Sequence, residues 1–168
     1  MKKFLGIISR GINLFSNFLA HVSIWGVLIL MILIVIDIFM RILIKRSILI
    51  AEEIGGYLLV LISYLGMGET LKKDRHVKVE TFSKKLPEKI QIRINIILSF
   101  IALIALIFVI WRVFIMVYAS YKSDAIVPGV FLTPIFLPQM LIIIGLLGLI
   151  LQQILILGKN ISKSIWNK

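Results

Sequence analysis

The chain has no cysteine, which excludes disulfides, iron–sulfur clusters and thiol chemistry. Charge is scarce: 16% of the 168 residues, with only 8 acidic side chains against 19 Lys and Arg. Imidazole is scarcer, because His21 and His76 are the only histidines. A bis-histidine haem needs two imidazoles converging at one depth inside a bundle, and these two lie in an apolar run and in a basic stretch. Neither sits among carboxylates and thiols at metal-ligand spacing, so no zinc site is expected. A GxxxxGK[ST] phosphate loop is absent, and nucleotide hydrolysis by that route is excluded. Ser63, Ser99 and Ser120 have no histidine in plausible reach and are expected to bond back to their own helices. Internal repeats and low-complexity tracts are also absent.

What is present is apolar surface, at 60% hydrophobic residues and a mean hydropathy of +1.07. A soluble domain of this size has too little interior to hide it, whereas lipid accepts it directly. The chain therefore reads as an integral membrane protein. Its net charge of +11 raises the question of nucleic acid. The cations, however, sit in short blocks beside apolar segments rather than on a basic face interleaved with aromatics, so no nucleic-acid partner is expected. Lys2 and Lys3 ahead of an apolar stretch imitate a signal peptide. The run continues to Ile36 without a small-residue cleavage site, which predicts an uncleaved first helix.

A hydrocarbon core about 30 Å thick takes roughly 20 apolar residues in a helix, and four stretches qualify. They are predicted at about 18–41, 52–71, 90–118 and 138–157, giving an all-α membrane protein with a single four-helix domain. Ahead of the first, Ser9, Asn13 and Asn17 recur every four residues opposite Phe4, Leu5, Ile8, Ile12 and Phe15. That pattern predicts an amphipathic segment over 2–17 lying along the interface. Pro87 and Glu88 suit the start of the third helix. Pro128, Gly129 and Pro134 predict an irregular or reentrant stretch before the fourth. The tail, 159–168, sets Ile161, Ile165 and Trp166 against Lys159 and Lys163 and reads as a second interfacial segment.

With four spans, the N-terminus, residues 69–93 and the C-terminus share one side and hold 14 of the 19 Lys and Arg, while the other side holds 5. The positive-inside rule puts both termini and the basic loop, 72–89, in the cytoplasm. Val79, Phe82, Leu86 and Ile90 fall at roughly helical spacing there, so part of the loop is expected to lie on the membrane surface.

A transporter that moves ions through its own helices keeps an ionisable group at membrane depth, and this sequence offers almost none. Asp37 and Arg41 stand four apart, acid first, the favourable order for a helical ion pair near the outer end of the first helix. Glu52 and Glu53 are adjacent and so point in different directions, which does not suit a carboxylate dyad. One is expected to meet a cation, the other water or headgroups. Gly55, Gly56, Gly66, Gly68, Gly145 and Gly148 let backbones approach closely, the usual basis of helix association in lipid. Packing inside this chain's own bundle is the expectation for Gly145 and Gly148.

The ordered set of Asp37 and Arg41, Glu52 and Glu53, Leu65 and Gly66 continues with the basic Lys72, Lys73 and Arg75, then His76, Val77, Val79, Leu86 and Pro87. It resembles the small membrane subunit, DctQ-like, of tripartite ATP-independent periplasmic (TRAP) transporters. Ile126, Val127 and Pro128, then Leu137 and Pro138, fit as well. The resemblance covers roughly residues 25–155. One departure is visible: where the family often carries a tryptophan before the paired glutamates, this sequence reads SILIAEE.

The resemblance implies a bacterial inner-membrane subunit that is not an enzyme, binds no cofactor and does not itself bind substrate. A periplasmic binding protein captures an organic acid, and a large membrane subunit of about a dozen helices moves it inward, usually with sodium bound to that subunit. The small subunit packs against the large one and helps receive the binding protein. Asp37, Arg41, Glu52, Glu53, Gly66, Lys72, Lys73, Arg75, His76, Pro128 and Pro138 are then expected at partner interfaces or at anionic lipid. Arg41, Glu52 and Glu53 are expected to fix the turn between the first two helices. The competing reading is an autonomous four-helix exporter, which would need a carboxylate embedded in its first helix. A membrane enzyme or electron-transfer anchor is a third, and the placement of the two histidines argues against it.

Overall fold

The computed structural model describes residues 2–45, 49–73 and 87–166. Four helices account for most of them: α1 (Lys2–Ile44), α2 (Leu49–Lys73), α3 (Glu88–Lys122) and α4 (Phe136–Trp166). Each contains a segment long and apolar enough to cross a membrane, and no strand occurs among the described residues. Helices are what such sequences must form in lipid, because every backbone N–H and C=O then finds its partner within the segment.

The boundaries have local causes. Pro87 caps α3, its carbonyl accepting from the Ile90 and Gln91 N–H groups at 2.9 and 3.2 Å. At the far end Ser123 donates back to the Ala119 carbonyl at 3.0 Å, and Lys122 stands in the last turn, where the helix dipole favours a cation. Pro138 lies in the first turn of α4, where its missing N–H has no intrahelical partner to lose. The irregular stretch expected around Pro128 is present. It folds back on itself through an isolated antiparallel bridge between Ile126 and Pro134.

The helices pack in the spatial order α1, α2, α4, α3, with a smaller contact between α1 and α4. Among the described residues α3 touches no helix other than α4. Small residues make the close approaches. A Cβ on Gly145 would run into the Tyr64 backbone, and one on Gly68 would come within 2.8 Å of the Ser16 hydroxyl. Gly148 has the same relation to Leu19 at 2.9 Å, and Gly66 to the Ser23 hydroxyl at 3.1 Å. Gly145 and Gly148 therefore pack inside this chain's own bundle, as their sequence positions predict.

The burial pattern inverts that of a soluble protein. Ser16, Ser23, Asp37, Ser99, Gln152 and Gln153 are buried, while the largest Ile, Leu, Phe and Trp side chains are mostly exposed. Lipid tails are as apolar as leucine, so burying leucine gains little in a bilayer, whereas polar groups have nowhere else to go.

Two expected boundaries differ. The leading segment, 2–17, is not set apart from the first span: α1 runs unbroken from Lys2 to Ile44, about 65 Å at 1.5 Å per residue. Its polar line turns inward, with Asn13 and Asn17 bonding to α4 and α2. Likewise α4 continues into the tail as far as Trp166. In each case the helix already satisfies its backbone and nothing in the sequence stops it, since neither junction carries a proline. Helix α2 begins at Leu49, one turn ahead of the glutamates. Arg75, His76, Val79, Phe82 and Leu86 lie outside the described residues.

Candidate functional site

The polar side chains gather in two layers, one at each end of the bundle. Glu53 and Lys72 mark them on α2, nineteen residues apart, or about 28 Å along a helix, close to the thickness of a hydrocarbon core.

The first layer is a carboxylate clasp. Glu53 Oε1 accepts from the Tyr57 hydroxyl at 2.9 Å and from Thr133 Oγ1 at 3.0 Å. Its Oε2 accepts from the backbone N–H groups of Val130 at 2.9 Å and Phe131 at 3.2 Å. Gly129 completes the fit, because a Cβ there would run into the same carboxylate. The loop between α3 and α4 is thereby tied to the start of α2. Within the loop Val127 N–H donates to the Thr133 carbonyl and Ile135 N–H to the Ala125 carbonyl, both at 2.9 Å. Asp124 and Leu132 sit in the left-handed region, at φ 46° and 47°, a costly setting for the branched Leu132. The clasp holds the backbone of Val130 and Phe131 and leaves Val130, Phe131 and Leu132 at least half exposed.

Beside this layer Arg41 donates to Asp37 Oδ2 at 2.8 Å, the predicted one-turn ion pair, with Asp37 buried and Arg41 largely exposed. Glu52 is exposed at the start of α2. Glu53 differs from the expectation for the pair: its four donors are neutral, and three of them lie in the α3–α4 loop rather than in the turn between α1 and α2. Pro128 is in that same loop, immediately before Gly129.

The second layer is a set of amides. Lys72 Nζ donates to Asn17 Oδ1 at 2.7 Å and pairs with Glu69 at 3.1 Å. Gln152 Nε2 reaches Asn13 Oδ1 at 3.4 Å. Gln153 donates to the Ser99 carbonyl at 3.0 Å, and Asn160 to the Ser99 hydroxyl at 3.3 Å. Ser99 therefore joins α3 to α4 rather than only bonding within its own helix. Between the layers the Ser23 hydroxyl donates to the Ile62 carbonyl at 2.9 Å, one turn from Gly66. His21 is exposed and bonds through Nδ1 to the Asn17 carbonyl at 2.7 Å. Lys73 ends α2.

Chemically, this arrangement ties helices together. No group of three or more His, Asp or Glu side chains is placed to hold a metal among the described residues. Two open grooves mark the surface. One, about 330 Å³, is wholly apolar and lies between α1 and the start of α2, against Ile32, Leu33, Ile36 and Ala51. The other, about 390 Å³, carries the hydroxyls of Ser23, Ser63 and Thr70.

Sequence reasoning missed Tyr57, Gly129 and Thr133 as partners of Glu53, and missed the amides Gln152 and Gln153. The four-residue step from Glu53 to Tyr57 was a usable signal. So were two adjacent amides inside an apolar helix, which lipid tolerates only where they are bonded.

A family model described as "Tripartite ATP-independent periplasmic transporters, DctQ component" matches residues 30–162, most of the chain. No curated protein and no solved structure matches it.

Proposed function

The chain belongs to the DctQ component family of tripartite ATP-independent periplasmic transporters, and from that we propose that it is the small subunit that braces a larger, solute-moving membrane subunit. The family match carries this reading. The two polar layers support it, since the polar side chains described are used largely in bonds between helices and loops. The cargo is an organic acid, moved by the large subunit at the expense of a sodium gradient after delivery by a periplasmic binding protein. The subunit lies in the bacterial inner membrane with both termini cytoplasmic, by the charge asymmetry of its flanks.

Within this reading the clasp layer faces the periplasm. Glu53 sets the α3–α4 loop, with Pro128 in it, where the large subunit or the docked binding protein can meet it, and Arg41 and Glu52 lie beside it. The basic stretch beginning at Lys72 and Lys73 and continuing through Arg75 and His76 anchors the other side to anionic lipid and to the large subunit. Lys72 has a double duty, because it also bonds Asn17.

Tagged chain purified from its native membrane should bring down a membrane protein of about twelve helices, and solute uptake should require both together with the binding protein. Liposomes holding this chain alone should accumulate nothing; accumulation there would establish the autonomous exporter instead. Charge reversal at Glu52 and Glu53 should depress uptake. Neutral replacement of Lys72, Lys73, Arg75 and His76 should weaken complex recovery or disturb topology, and wild-type behaviour in both would remove the anchoring role.

A further inference from the structure

Arg112 is a charge that this bundle leaves unanswered. It lies on α3 ten residues before the last helical residue, Lys122, so its Cα is about 15 Å from that end of the helix. Tyr118 and Tyr121 lie between it and the end, where interfacial aromatics belong. The arginine is exposed and makes no hydrogen bond or ion pair with any described residue. An ionised guanidinium at that depth against hydrocarbon is costly and calls for a partner or an escape to headgroups. Escape to the near surface runs against helix geometry, because Cα–Cβ bonds tilt towards the N-terminus and here aim the side chain deeper.

Its position around the helix is also informative. The seam of α3 against α4 passes through the half-buried Leu106, Ile110, Val113 and Val117, at steps of three and four. Arg112 stands about a third of a turn away from it. One heptad before and one heptad after are Ala105 and Ala119, both exposed, so the flank carrying the charge also allows a backbone to come close. The other flank is bulky, with Phe100, Trp111, Phe114 and Tyr118 all more than half exposed. The two flanks thus suit different neighbours.

We propose that the Arg112 flank of α3 docks a transmembrane helix of the large subunit, and that this helix presents a carboxylate to the guanidinium at the same depth. The inference rests on the proposed role of the chain as a subunit and adds the surface and the chemistry by which it binds. The aromatic flank faces lipid.

Full complex purified through a tag on this chain provides the test. Arg112→Ala and Arg112→Glu should lower recovery of the large subunit by at least about tenfold, while Arg112→Lys retains most of it. The loss with Arg112→Ala should occur with membrane insertion unchanged, since that change only makes α3 more apolar. Photocrosslinking reads the contact independently of stability. In the complex a benzophenone side chain in place of Ala105 should label the large subunit, and one in place of Phe114 should label lipid. Wild-type recovery with Arg112→Ala, or equal labelling at the two positions, would overturn the proposal and leave Arg112 to a lipid headgroup. Absence of any large membrane partner with the wild-type chain would instead refute the subunit reading itself.

Discussion

The layer around Glu53 and the layer around Lys72 solve the same problem in different ways. At one end a single carboxylate collects four donors from two elements. At the other, several amides and one lysine share the work through separate contacts between α1, α2, α3 and α4. Charge-assisted hydrogen bonds are about twice as strong as neutral ones, so the first arrangement concentrates stability in one residue and the second spreads it. The difference follows from what is being held. An irregular loop has free backbone N–H groups that one anion can gather, whereas helices have already used theirs and offer only side chains.

This contrast can be broken most directly at its hub. Glu53→Ala should lower the unfolding midpoint more than loss of any single donor does, because it leaves four donors without their acceptor at once; denaturant titration in detergent reads this, and the change should open residues 125–135 to limited proteolysis. An unchanged midpoint would mean that water replaces the carboxylate without loss. Gly129→Ala forces a methyl group into the same carboxylate and should cost about 1–2 kcal/mol, an effect that largely disappears in the Glu53→Ala background. Removing one neutral donor, by Thr133→Val or Tyr57→Phe, should cost about 1 kcal/mol; either change should again be nearly silent without Glu53, because the residues act as one unit. The smallest effects belong to the other layer. Asn17→Leu and Gln153→Leu should each cost about 0.6 kcal/mol, as bonds between membrane helices typically do, and the pair should be additive. Strong coupling between them would show that this layer too is a single network.

The four spans were legible because hydrophobicity alone sets them: a run such as Ile32 to Ile36 or Ile142 to Leu147 has no other home. The Asp37–Arg41 pair and the packing of Gly145 and Gly148 were legible because both depend on spacing within one helix. The partners of Glu53 were not, since Val130, Phe131 and Thr133 lie more than seventy residues away and two of them contribute backbone. Nor was the direction of the Asn13 and Asn17 line. An amphipathic helix has the same periodicity whether its polar face meets headgroups or neighbouring helices. The depth of Arg112 was missed although the predicted third span, 90–118, includes it, because it was counted with the cations flanking the spans and not weighed as a charge inside one.

The inward line on α1 has a mechanical consequence. Asn13, Asn17 and Ser23 find their partners at one rotational setting of the helix. Turning α1 by half a revolution about its own axis would carry all three away from these partners, at a cost of several kcal/mol where a polar group goes unbonded in the hydrocarbon. The surrounding bilayer therefore acts as a detent on this long rod, free to let it tilt but resisting its spin.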